Sequence, residues 1–118
     1  MKTENPIVEK SYAFALRIVK LYKYLVEEKH EWVLVKQILR SGTSIGANVE
    51  EAIGAYSKKE FSAKMGIAQK EARETRYWLR LLNKSQLVQY DYSDYLKEIE
   101  DLVNILTAIV KTCQEEGK

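Results

Sequence analysis

From Ile7 onward, side chains that can face a core return every three or four residues, through Ser11, Phe14, Ile18, Leu21 and Leu25. That spacing is the stripe presented by one face of an amphipathic helix. Asn5 followed by Pro6 supplies a capping side chain and a first-turn proline, so a helix is predicted from Pro6 to about Glu28. A second stripe, Val8, Tyr12, Ala15, Val19, Tyr22 and Val26, runs beside the first. One bundle core covers about three apolar positions in seven. The surplus predicts an intersubunit face.

After the polar stretch EEKHE the period resumes at Trp32 and runs through Leu34, Ile38, Ser41, Ile45, Val49 and Ala52 to Tyr56. This second helix carries Gly42 and Gly46 in its interior, although each interior glycine costs about 1 kcal/mol relative to alanine. With Ser44 and Ala47 beside them, the two glycines form a low notch that lets a neighbouring helix approach closely. Ser57 and Glu60 spell a capping box that opens a third helix. There Phe61, Met65, Ala68, Ala72, Thr75, Leu79 and Leu82 repeat without a break. The period fails around NKSQLVQYDYSD, where Asp91 or Ser93 is the expected next cap. Tyr92, Leu96, Ile99, Val103, Leu106, Val110 and Cys113 carry a fourth helix, closed by Gly117.

Short connections make consecutive helices antiparallel neighbours. The expected fold is therefore all-α, a single antiparallel up-down-up-down four-helix bundle over residues 1–118, assembling as a homo-oligomer. The composition agrees: 118 residues, 46% apolar and 31% charged, make one folded domain. No apolar run approaches the ~18 residues of a membrane span, and MKTENPIVEK lacks a hydrophobic signal core. A cytoplasmic protein with no membrane partner is expected.

Little in the chain suggests catalysis. Glu51, Glu71 and Glu74 are placed to face one another across the second and third helices, but a bundle di-iron site also needs a Glu-x-x-His from each of two helices. The one histidine, His30, falls in a loop. The Gly-x-Ser-x-Gly letters at Gly42–Gly46 lie inside a helical stripe and not at the strand-to-helix turn of a nucleophile elbow, and no phosphate-binding P-loop occurs. Cys113 is the only cysteine and is expected to be a small buried hydrophobe. No enzymatic activity, cofactor or metal is expected.

Charge is more informative counted by helix. The overall balance is only +2, yet residues 57–84 hold eight cations against three carboxylates, a net of +5, and residues 91–116 hold two against seven, a net of −5. On the third helix Lys70, Arg73, Tyr77, Arg80 and Lys84 share one face. Four cations and an aromatic in that pattern could hold phosphates while Tyr77 stacks on a base. The same stripe could equally be a solvated face, or pair with the acidic fourth helix. Arg40, Ser44, Asn48, Glu51, Glu71 and Glu74 form a candidate structural polar network between the second and third helices, with Arg73 or Arg76 as further partners.

Ser44, Ile45, Asn48 and Glu51 spell S-I-x-x-N-x-x-E, and AQKEARETRYWLRLL follows from Ala68 to Leu82. Together, in this order, they resemble the 23S ribosomal RNA intervening-sequence proteins, also called four helix bundle proteins, over nearly the whole chain. Val49, Glu50 and Ala52 depart from the commoner N-I-A-E-G form. The resemblance implies an antiparallel four-helix bundle assembling as a homopentamer, which would account for the doubly apolar first helix and the glycine notch. It also implies association with nucleic acid: members were first noticed as reading frames inserted in ribosomal RNA genes, and similar bundles serve diversity-generating retroelements as basic accessory proteins beside a reverse transcriptase. Two functions are thereby expected. One is a non-enzymatic pentameric adaptor that holds RNA or DNA through the Lys70–Lys84 stripe and serves a protein partner. The alternative is a purely structural protein-protein scaffold with no nucleic acid.

Overall fold

The structure is a computed structural model and describes residues 5–117. Among these residues there are four helices and no strand: α1 (Pro6–Glu27), α2 (Val33–Ile53), α3 (Lys58–Ser85) and α4 (Ser93–Glu116). Their packing is consistent with a bundle, since α2 lies against α1 and α3, and α4 against α3 and α1. The body measures 47 × 26 × 20 Å, long in one direction as packed helices of this length require.

Local chemistry sets the helix ends. Asn5 accepts the Ile7 N–H at 3.3 Å and Pro6 fills the first turn of α1. Ser57 Oγ accepts the Glu60 N–H at 3.0 Å, and Glu60 Oε1 reaches back to the Tyr56 N–H at 2.9 Å. The extended backbone that Ser57 needs as a cap, with φ −143°, takes residues 54–57 out of α2. The second helix is therefore shorter than its stripe, and Tyr56 stands fully exposed. Its start is also later than expected. The Glu31 carboxylate collects the free N–H groups of Val33, Leu34 and Val35 at 2.9, 3.2 and 3.1 Å, and Trp32 lies half-exposed outside the helix. At α4 neither Asp91 nor Ser93 takes the cap position. Tyr92 does, because its ring is wholly buried and its hydroxyl donates to the Val88 carbonyl at 2.9 Å. Asp91 Oδ1 instead accepts the Ser93 N–H at 3.0 Å.

The α1 stripe from Ile7 to Leu25 is buried in full, Ser11 included, and so is the α3 stripe from Met65 to Leu82. On α4 burial runs through Tyr95, Ile99, Leu102, Val103 and Leu106 and then stops. Cys113 is accordingly half-buried rather than sealed in the core, because α4 continues past the packed layer.

The two glycines are used within the chain. A Cβ at Gly42 would stand 3.2 Å from Ile18 Cγ1 and Cγ2, and one at Gly46 would meet the Ser11 backbone at 3.4 Å. The helix seated in the notch is α1. Of the second α1 stripe only Tyr12 and Val19 are exposed, with Leu16 beside them, because Val8, Tyr22 and Val26 pack against the edge of the chain's own core.

Candidate nucleic-acid interface

Burial of Met65, Ala68, Ala72, Thr75, Leu79 and Leu82 fixes the rotation of α3. A rotation that seats those positions turns the other side outward, so Lys70, Arg73, Tyr77, Arg80 and Lys84 are all exposed on one face.

The neighbouring cations are consumed by ion pairs. Lys64 Nζ lies 2.7 Å from Glu51 Oε1 on α2, and Arg76 Nη1 lies 3.2 Å from Glu100 Oε2 on α4. Glu98, another acid of α4, pairs with Arg17 of α1, whose guanidinium also covers the Tyr95 ring at 4.7 Å from its centroid. Among the described residues, none of Lys70, Arg73, Arg80 and Lys84 forms an ion pair. Within one chain, then, the acidic α4 neutralises a single cation of α3 and leaves the stripe charged.

The polar residues between α2 and α3 divide into two groups. Arg40 pairs with Glu74 and lies 3.6 Å from Glu71 Oε1, while Trp78 Nε1 donates to Glu74 Oε2 at 3.1 Å. Tyr77 packs edge to face on Trp78, with ring centroids 5.1 Å apart. The network thus reaches the aromatic of the basic stripe. Ser44 and Asn48 turn back on their own helix, donating to the carbonyls of Arg40 and Ser44 at 2.6 and 2.9 Å. Glu51 is occupied by Lys64, away from Glu71 and Glu74. Arg73 joins neither group.

One contact is absent from the sequence reading. Ser41 and Thr75, both wholly buried, meet across α2 and α3 with their hydroxyl oxygens 2.8 Å apart. Spacing alone puts both in core stripes, and a hydroxyl at a core position is the available signal.

Beside the stripe a groove opens between α3 and the start of α4, with a volume of about 570 Å³, lined by Tyr77, Arg80, Leu81, Asn83, Lys84 and Leu96. Among the described residues no three of histidine, cysteine, aspartate and glutamate gather into a metal-ligand set, and no helix is long and apolar enough to cross a membrane.

A family model described as 23S rRNA-intervening sequence protein matches residues 3–108. The chain is also similar to a crystal structure of a protein of unknown function from the S23 ribosomal protein family of Bacteroides thetaiotaomicron. The two are 47% identical, with a TM-score of 0.84 over 89% of this chain and 98% of the other. No curated protein matches the chain.

Proposed function

Because the chain belongs to the 23S rRNA-intervening sequence protein family, we propose that it is a non-enzymatic, cytoplasmic adaptor that assembles with itself and holds RNA on the exposed face of α3. One observation carries the nucleic-acid part. Lys70, Arg73, Arg80 and Lys84 stand exposed around Tyr77 with no ion-pair partner among the described residues, while Lys64 and Arg76 on the same helix are paired. Unpaired cations beside an exposed aromatic suit phosphates and a base face.

Self-assembly uses the outer face of α1, where Tyr12, Leu16 and Val19 lie exposed in a row. The assembly is a homopentamer, the state implied by the family resemblance, and repeating the stripe in each copy multiplies a weak contact. Consecutive helices run antiparallel. In support, Arg40, Ser41 and Glu51, rising along α2, meet Glu74, Thr75 and Lys64, falling along α3.

The test is a salt titration of binding to structured RNA, run beside the oligomer mass from light scattering. Affinity should fall linearly with salt on logarithmic axes, and the double variant Arg73→Glu, Arg80→Glu should lose binding while keeping its mass. Salt-insensitive binding, or binding that survives the double reversal, overturns the proposal.

The exposed α1 face also favours a second reading, a scaffold that engages only protein. In that case the double reversal breaks assembly, because the α3 stripe then meets the acidic α4 of a neighbouring copy, and RNA stays unbound.

A further inference from the structure

We propose that the groove between α3 and α4 takes an unpaired nucleotide, so that the protein holds single-stranded RNA in preference to duplex; this rests on the nucleic-acid role proposed above.

The stripe by itself would serve a duplex as well as a single strand, because both present phosphates. The groove adds what only an unpaired nucleotide can use. Half of its lining is apolar or aromatic: Tyr77 is 58% exposed, Leu81 is exposed, and Leu96 from α4 lies opposite. Arg80 and Lys84, neither in an ion pair among the described residues, stand at the same opening, and Asn83 contributes an amide with donors and an acceptor. An exposed apolar patch rimmed by polar groups marks a binding surface.

A base inserted here would cover Tyr77, Leu81 and Leu96 while its phosphate met Arg80 or Lys84. A duplex keeps its base faces stacked inside and would touch only the cations, leaving the apolar walls wet. An apolar peptide would leave those cations unmatched.

The aromatic is also held in place before any ligand arrives. Tyr77 rests edge to face on Trp78 at an interplanar angle of 74°. The Trp78 indole is anchored by its hydrogen bond to Glu74, and Glu74 is held by Arg40 of α2. A chain of contacts from the α2–α3 seam thus fixes the platform, and a ring with less freedom to lose stacks at lower entropic cost.

The experiment compares fluorescence anisotropy of a short labelled oligouridylate with that of an RNA duplex of equal length, for the full chain and its Tyr77→Ala, Tyr77→Phe and Arg80→Glu variants. Tyr77 is exposed, so its replacement leaves the core intact. Oligouridylate should bind more tightly than duplex. Tyr77→Ala should weaken oligouridylate on the order of tenfold, the loss of about one stacked base, and leave the duplex unchanged. Tyr77→Phe should keep the wild-type affinity, since stacking needs the ring and not the hydroxyl. If Tyr77→Ala has no effect, or weakens both probes equally while Arg80→Glu weakens both, the groove is not a base site and the phosphate-binding role stands. If neither probe binds even at low salt, both proposals fail, and the groove becomes a candidate for an acidic protein segment.

Discussion

Gly46 of α2 stands so close to α1 that a Cβ built on it would lie 3.4 Å from the Ser11 carbonyl oxygen and 3.5 Å from Ser11 Oγ. The backbones of α1 and α2 approach closely here, which explains why α2 tolerates glycine at its centre. A methyl group just reaches van der Waals contact, so Gly46→Ala should melt at or above the wild-type temperature through its better helix propensity. A branched side chain cannot fit without displacing α1, and Gly46→Leu should lose about 1–3 kcal/mol. Thermal unfolding of the two variants decides it: a leucine variant as stable as wild type would remove the notch from the account.

Gly66 presents the opposite case. It lies inside α3, and an added Cβ would meet nothing within 4 Å. Among the described residues nothing uses its lack of a side chain, and its backbone is helical with no positive φ. Gly66→Ala should therefore stabilise the protein by about 0.5–1 kcal/mol, mainly by narrowing the unfolded ensemble. Chemical denaturation measures this directly. A destabilised alanine variant that also changes oligomer mass would place Gly66 against another copy.

The difference between these glycines could not be read from spacing. Gly42, Gly46 and Gly66 all sit in helical patterns, and only the position of α1 separates two that are filled from one that is open. The helices themselves were legible because burial follows the 3.6-residue period, and the stripes of α1 and α3 hold along nearly their whole length. Helix ends were less legible where a side chain outside the usual cap position does the capping. Glu31 precedes the cap residue Trp32 yet satisfies three amides of α2, and Tyr92 takes the cap position of α4 with its ring buried and its side chain making no cap hydrogen bond. At the candidate site the shared face of Lys70, Arg73, Tyr77, Arg80 and Lys84 was readable from period alone. The contribution of Leu96 was not, since it comes from another helix.

Ser41 and Thr75 form a wholly buried hydroxyl pair among the apolar side chains packed between α2 and α3. Ser41 Oγ also donates to the Gln37 carbonyl at 3.0 Å, and Thr75 Oγ1 lies 2.8 Å from the Glu71 carbonyl. Removing one hydroxyl leaves its partner with one contact fewer in a dry site, whereas removing both leaves nothing unsatisfied. Ser41→Ala and Thr75→Val should each cost about 0.5–1.5 kcal/mol. The double variant should cost less than their sum. Strict additivity in a double-mutant cycle would show that the two hydroxyls act independently.

Glu98 sits between Arg17 and its own acidic neighbours. Burial pushes its carboxyl above the usual carboxylate range; the Arg17 charge opposes this, and Asp94 and Asp101 add to it. At Arg17 burial works against the charge, but the hydrogen bond with Tyr95 and the charge of Glu98 outweigh it and raise the pKa. Burial prevails at Glu98 because its Oε1 is buried with no hydrogen-bond partner among the described residues. A carboxyl with a raised folded pKa binds its proton more tightly in the folded state. Its stabilising contribution is full below the unfolded pKa and is lost as pH rises through the folded one. Glu98→Gln keeps the shape and cannot ionise. The melting temperature of the variant minus that of wild type should therefore become more positive from about pH 4 to about pH 7. The other carboxylates are common to both proteins and largely cancel in this difference. A difference that instead falls with rising pH would mean that the ion pair with Arg17 outweighs the burial of Glu98.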